Sequence, residues 1–298
     1  MTSMRVTEQW RVMKHTEYLN TVSSRLDKIQ QQLSTGRKIE RASDDPAGAR
    51  LALQYRDTLD FEAQMRRNLE NGTSFMNITE ATLDSATEAL QRARELTVQA
   101  ANDTLAQQER NAIALEVDQL VQHLAQLGNA TFGDAYIFSG HKTTTPAFQV
   151  TGNPPTAVTF QGDTGQRLHR ISRQDTVAVN VDGQSAFGTM FTDLIALRDN
   201  LNGGAPAPTI QASIGTIDTA LDGVIQARAS IGARLNRFEA SQATSQQTDI
   251  NLQQLRSNIE DVDLPSAITQ LQAQQNALQA ALGAIGRTAN LTLMDFMR

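Results

Sequence analysis

The sequence predicts a mainly α-helical chain, a long antiparallel helical rod or coiled coil built from both termini, with a small β-rich domain inserted between them. Three observations carry this expectation. Apolar residues recur in alternating steps of three and four in both terminal regions, which is the signature of helices that bury one narrow stripe. Only 5% of the 298 residues are aromatic, too few for one large globule and in keeping with helices that associate side by side. Glycine, proline and β-branched runs concentrate in the middle of the chain, where strands joined by turns are the natural product.

The first element is set by Val12, His15, Leu19, Val22, Leu26, Ile29 and Leu33, a coiled-coil seam. Ser34-Thr35-Gly36 ends it, and Asp45-Pro46 reads as the N-cap and first residue of a new helix. From Ala47 to about Ala101, Leu51, Tyr55, Leu59, Met65, Leu69, Met76, Leu83, Ala86, Leu90 and Ala93 keep to one face, with Asn71-Gly72 as a candidate kink. Asn102-Asp103-Thr104 breaks the pattern. Ile113, Val117, Leu120, Leu124 and Leu127 resume it until Gly128-Asn129, so the two segments predict a helical hairpin.

Between about Gly128 and Phe191 the runs Tyr136-Ile137-Phe138, Ala157-Val158-Thr159-Phe160 and Thr176 to Val181 predict strands. Gly162-Asp163 and Asp182-Gly183 read as turns of one small antiparallel sheet. Helix returns with Asp193 as the expected cap of Leu194, Leu197 and Leu201, and the Gly203 to Pro208 stretch breaks it. Ile210, Ile214, Ile217, Leu221, Val224, Arg228, Ile231, Leu235 and Phe238 then form the longest heptad run, extended by Leu252 and Ile259 through a Gln/Ser/Thr-rich seam. After Asp263-Leu264-Pro265 a last seam holds Ile268, Leu271, Gln275, Leu278, Leu282 and Ile285, where Gln275 would fix register. The expected domains are residues 1–44 with 260–298, a terminal coiled coil that frays in the monomer; 45–128 with 193–259, a helical rod; and 129–192, a β-rich outer domain. Leu19, Val22, Leu26, Ile29, Leu33, Ile268, Leu271, Leu278, Leu282 and Ile285 are the expected assembly interface.

Several functions are disfavoured by the residues themselves. A net charge of -6 with mixed signs offers no basic stripe to nucleic acid or an anionic bilayer. No apolar run approaches the ~18 residues of a membrane span, and the first residues read as lacking the apolar core of a cleaved signal. Cysteine is absent, which excludes disulfides, a thiol nucleophile and cysteine-bound zinc. His15, His123, His141 and His169 stand too far apart in sequence to pair on one helix face. Asp44-Asp45 precedes Pro46 and reads as a helix cap before it reads as a cation site. Asp163-Thr164-Gly165 matches the tripeptide of aspartic proteases, but that chemistry needs two facing carboxylates and one copy is present, so a turn is expected. Asn77-Ile78-Thr79 is a chance match to a glycosylation acceptor on a helix. No catalytic, cofactor-binding or metal-ligating residue is predicted, no cofactor is expected, and the chain reads as a non-enzyme.

Longer strings are recognisable. Gln31-Gln32-Leu33-Ser34-Thr35-Gly36-Arg37-Lys38-Ile39 followed by Ala42-Ser43-Asp44-Asp45-Pro46-Ala47-Gly48 resembles the N-terminal signature of the bacterial flagellin superfamily. The likeness continues through Arg67 to Gly72 and Ala93 to Asn102. Ile231-Gly232-Ala233-Arg234-Leu235-Asn236-Arg237 and Ile259-Glu260-Asp261-Val262-Asp263 are similar to its C-terminal region. The short central region, Tyr136-Ile137-Phe138-Ser139-Gly140-His141 and the ending Leu293 to Arg298 resemble the superfamily's hook–filament junction members more than its filament subunits, with a compact filament flagellin as the alternative. The resemblance implies a structural subunit at the hook–filament junction, needed for filament assembly and motility. It also implies secretion by the flagellar type III export apparatus with an export chaperone. The implied partners are further copies of itself in a ring of the axial structure, hook-associated protein 1 on the hook side and flagellin on the filament side, with no nucleic acid and no membrane.

Overall fold

The computed structural model describes the backbone of residues 2–296 and the side chains of residue 10 and of residues 13–286. Val12, the first expected seam position, lies outside the described side chains. In chain order the elements are α1 (Thr2–Thr35), α2 (Pro46–Ala100), α3 (Gln107–Gly128), β1 (Thr131–Phe132), β2 (Ala135–Tyr136), β3 (Phe148–Thr151), β4 (Ala157–Phe160), β5 (Leu168–Arg170), β6 (Thr176–Ala178), α4 (Gly183–Phe187), α5 (Met190–Asn202), α6 (Ala207–Glu260) and α7 (Leu264–Phe296). They form two compact units, Met1–Phe61 with Thr248–Arg298 and Glu62–Gln247, so that α2 and α6 each contribute to both.

In the first unit α1 packs along α7. The end of α1 is tied to the start of α7: Val262 N donates to Gly36 O (3.0 Å), Lys38 N donates to Glu260 O (2.7 Å), and Arg37 bridges Asp261. A helix whose end is pinned beside its partner's beginning must run antiparallel to it, as the seam pattern predicts. The turn needs Gly36 because its φ of 71° is left-handed, a region closed to most side chains.

In the second unit α2 and α6 pair antiparallel, with Glu62 meeting Ser245, Gly72 meeting Phe238, Glu80 meeting Arg228 and Arg94 meeting Asp218. Both helices bury strict heptad rows. Leu69, Met76, Leu83 and Leu90 are fully buried on α2, as are Ile210, Ile217, Val224, Ile231 and Phe238 on α6, and these are the expected core positions. Three buried threonines of α2 are satisfied locally: the Thr79, Thr87 and Thr97 hydroxyls donate to the carbonyls of Phe75, Leu83 and Ala93 at 2.6–2.9 Å, a bond that threonine makes in helices. Gly72 lies within the unbroken α2, where a Cβ would collide with the Phe238 ring. It is kept small by packing, and the helix continues through it.

The central region departs from the expected single sheet. It forms three separate antiparallel ladders, β1 with β2, β3 with β4 in the register Phe148↔Phe160, and β5 with β6. Its buried side chains include Phe138, Phe148, Phe187 and Phe191. Phe148 sits 5.3 Å from Phe187 and 5.0 Å from Phe191, and Phe138 sits 5.0 Å from Phe187, ring centre to ring centre. One aromatic cluster therefore serves the strands together with α4 and α5, and aromatic pairs at such spacing add to plain area burial. Asp182, expected in a hairpin turn, instead caps α4 by accepting from Gln184 N at 2.8 Å. Asp193, expected as the cap of α5, lies inside its first turn and accepts from the Thr189 hydroxyl at 2.8 Å. Arg198 joins α5 to α3 through a buried pair with Asp118 at 2.8 Å.

Candidate assembly surface

The first unit has few buried apolar side chains among the described residues. Among the described residues its buried apolar side chains are Val22, Ile29, Ile39, Ala52 and Ala267, whereas the second unit buries the rest of the core. Among the described residues, ten of the sixteen exposed large apolar side chains belong to the first unit: Trp10, Met13, Tyr18, Leu51, Leu53, Ile250, Leu255, Leu264, Ile268 and Leu282. Scattered exposed leucines need no explanation, and their concentration in the first unit makes it the candidate assembly surface.

On α1 the expected seam faces inward. Val22 and Ile29 are buried and Leu19, Leu26 and Leu33 are half-buried. On α7 the expected seam splits into two rows. Leu271, Leu278 and Ile285 are half-buried, but Ile268 is 47% exposed, Leu282 is 54% exposed, and Gln275 is exposed with them. The inward heptad positions beside Leu271, Leu278 and Ile285 are taken by Ala267, Gln274 and Ala281. Sequence reading favoured the larger neighbour one residue further on, although the small residues at the same spacing were there to be counted. Ile268, Gln275 and Leu282 thus form an outward row spaced by sevens, two turns apart, on the flank of the helix.

The connector from Gly36 to Asp45 holds this arrangement in place. Asp45 caps α2 by accepting from Ala47 N (3.1 Å) and Gly48 N (3.0 Å), with Pro46 as the first helical residue, where its missing N–H costs nothing. Asp44 accepts from Lys28 Nζ (3.0 Å), Arg41 N (3.0 Å) and Glu40 N (3.4 Å). The Lys28 ammonium first, then the backbone N–H groups, hold the Asp44 carboxyl below its ordinary value. Both carboxylates of the expected cap are thereby occupied. Glu260 is 4% exposed and is gathered by Arg56, by Arg37 at 3.6 Å and by Arg256 at 3.8 Å. Sequence reading missed this cluster.

Asp163 behaves as a turn residue. Its Oδ1 accepts from His141 N (2.8 Å) and Gly165 N (2.9 Å), and these backbone donors hold its carboxyl pKa below the usual value. Gly140, with φ of 68°, lies so close to Asp163 that a Cβ would strike it.

Comparison with known proteins agrees with this architecture. The bacterial flagellin N-terminal helical region matches residues 6–143, and the bacterial flagellin C-terminal helical region matches residues 214–297. The flagellar filament 33 kDa core protein of Treponema phagedenis is 28% identical over 282 residues, covering 92% of each chain. Flagellar hook-associated protein 3 of Escherichia coli is 26% identical over 325 residues, covering 99% of this chain and 100% of its own. The crystal structure of the flagellar junction protein FlgL from Legionella pneumophila superposes with a TM-score of 0.60 at 16% identity, over 72% of this chain and 100% of that one. With both terminal signatures matched, and helices folded from them as the superfamily requires, the chain belongs to the bacterial flagellin family.

Proposed function

We propose that this chain is a structural subunit of the bacterial flagellum that forms the junction between hook and filament and is needed for filament assembly and motility. The observation that carries the reading is the apolar surface of the first unit, whose outward side chains are exposed among the described residues. Each such Leu or Ile contributes about 1.5–3 kcal/mol when a neighbour buries it fully, so a few of them per contact suffice to drive association. The correspondence with hook-associated protein 3 over 99% of this chain and 100% of its own, against 92% of each for the filament core protein, supports the junction over the filament.

In this reading Leu19, Val22, Leu26, Ile29, Leu33, Leu271, Leu278 and Ile285 shape the α1–α7 pair that assembles, and Ile268 and Leu282 meet neighbouring subunits. Copies of the chain form a ring in the axial structure, with hook-associated protein 1 on one side and flagellin on the other. The chain reaches that place through the type III export apparatus with the help of an export chaperone, and it is not an enzyme. Deleting the gene tests the role: cells that keep hooks, lose filaments and release flagellin monomers into the medium support it, and persistent filaments overturn it. A compact filament flagellin is the second reading, favoured by the 28% identity to a filament core protein; loss of the major filament protein itself on deletion would select it.

A further inference from the structure

The second unit contains a polar cavity of about 390 Å³ between the loop before β5, the segment leading into α4, and α6. Arg234 on α6 lines it. One of its terminal nitrogens, Nη1, donates to Ala178 O (3.1 Å) and Asn180 O (2.7 Å), and no carboxylate pairs with it among the described residues. Its neighbours on the same helix differ. Arg228 is paired with Glu80 and Asp84 at 2.7 Å each, and Arg237 with Asp175 at 2.8 Å. An arginine fork with donors to spare, part-buried and turned to a cavity, is suited to one carboxylate.

The remaining walls limit the ligand further. Thr164, Gln166, Gln226 and Ser230 line the cavity with hydroxyl and carboxamide groups, each able to donate and to accept, which matches the two-way hydrogen bonding of ligand hydroxyls. Asp182 also lines it, its oxygens already accepting from Gln184 N and the Ser185 hydroxyl. Its charge disfavours a second negative group. Val181 and Ala227 provide a small apolar floor for the C–H face of a ring.

We propose that this cavity binds a small polyhydroxylated monocarboxylate of the sugar-acid class, with Arg234 taking the carboxylate and the glutamines and hydroxyl residues taking the ring hydroxyls. The site is independent of the junction role. Titrating the full chain with D-glucuronate, followed by backbone amide shifts, should give saturable shifts at Gly165, Gln166 and Gln226. D-glucose, which lacks the carboxylate, and acetate, which lacks the hydroxyls, should each bind about tenfold or more weakly, the weight of one good polar interaction. Arg234→Gln should weaken glucuronate to the level of glucose. Because Arg234 also holds two backbone carbonyls, Ser230→Leu, which narrows the cavity beside the arginine, removes a hydroxyl and spares Arg234, should abolish the shifts with the thermal midpoint unchanged. Absence of saturable shifts, equal binding of glucose, or unchanged glucuronate binding in a folded Ser230→Leu chain each overturns the proposal.

Discussion

The two units use the same helical pattern for opposite ends. In Glu62–Gln247 the heptad rows of α2 and α6 are fully buried and an aromatic cluster closes the strands around α4 and α5. In Met1–Phe61 with Thr248–Arg298 the rows of α1 and α7 are mostly half-buried, and large apolar residues point away from them. The difference teaches that heptad spacing fixes which residues share a face but not whether the chain itself covers that face. The second unit buries its rows itself, and under the proposed function the first is the surface that neighbours would cover.

The largest expected effect tests the buried rows of the second unit. Leu90 is fully buried on α2, so Leu90→Ala should cost the isolated chain about 2–5 kcal/mol, the ordinary loss for a buried leucine. Urea unfolding of the monomer measures it, and a cost near zero would remove the contrast between the units.

Glu260 comes next. It is the buried acid of the first unit, held by Arg37, Arg56 and Arg256. Glu260→Gln keeps the shape and removes the charge. It should destabilise the α6–α7 joint by about 1–3 kcal/mol, the typical weight of hydrogen bonds to charged groups. Hydrogen exchange at the Lys38 amide, which donates to Glu260 O, would speed up while exchange in α3 stays unchanged.

How much of this was legible follows from which residues carry it. The buried rows of α2 and α6 could be read because each places large apolar side chains at fixed spacing, and Asp45-Pro46 could be read because a cap is local chemistry. The inward row of α7 could not be read in full, since Ala267, Gln274 and Ala281 look like spacers beside Ile268 and Leu282 until α1 is seen to pack against them. The strands β3 and β5 are only four and three residues long, and the shared aromatic cluster joins Phe138 to Phe191 across segments whose pairing no local pattern dictates. The Glu260 cluster depends on Arg56, 204 residues away in sequence. No window on the sequence contains both.

A smaller effect on the monomer sharpens the comparison at Leu282. This side chain is 54% exposed, so Leu282→Ala should change the unfolding free energy of the isolated chain by no more than about 0.5 kcal/mol, as surface substitutions do. It should nonetheless weaken filament growth on the cell, scored as motility and as flagellin lost to the medium. Leu90→Ala and Leu282→Ala would then invert: the first injures the monomer, the second the assembly. Full motility with Leu282→Ala would take the outward row of α7 out of the interface.

The smallest effect concerns acid. Asp44 in the first unit and Asp163 in the second both have carboxyls held below their ordinary value, Asp44 chiefly by Lys28 and Asp163 by the His141 and Gly165 amides. A group whose folded value lies below its unfolded one stabilises the fold at neutral pH, and that contribution disappears as pH falls below the unfolded value of about 4 toward the folded one. Asp44→Asn retains an acceptor for the Arg41 amide but cannot titrate. Exchange protection of that amide should therefore decline on acidification in the parent chain and stay flat in the variant over the same range. Asp163→Asn should do the same for the His141 amide and leave Arg41 untouched. If instead either substitution flattened both profiles, the two turns would be opening together, and the two units would be losing structure in acid as one cooperative body.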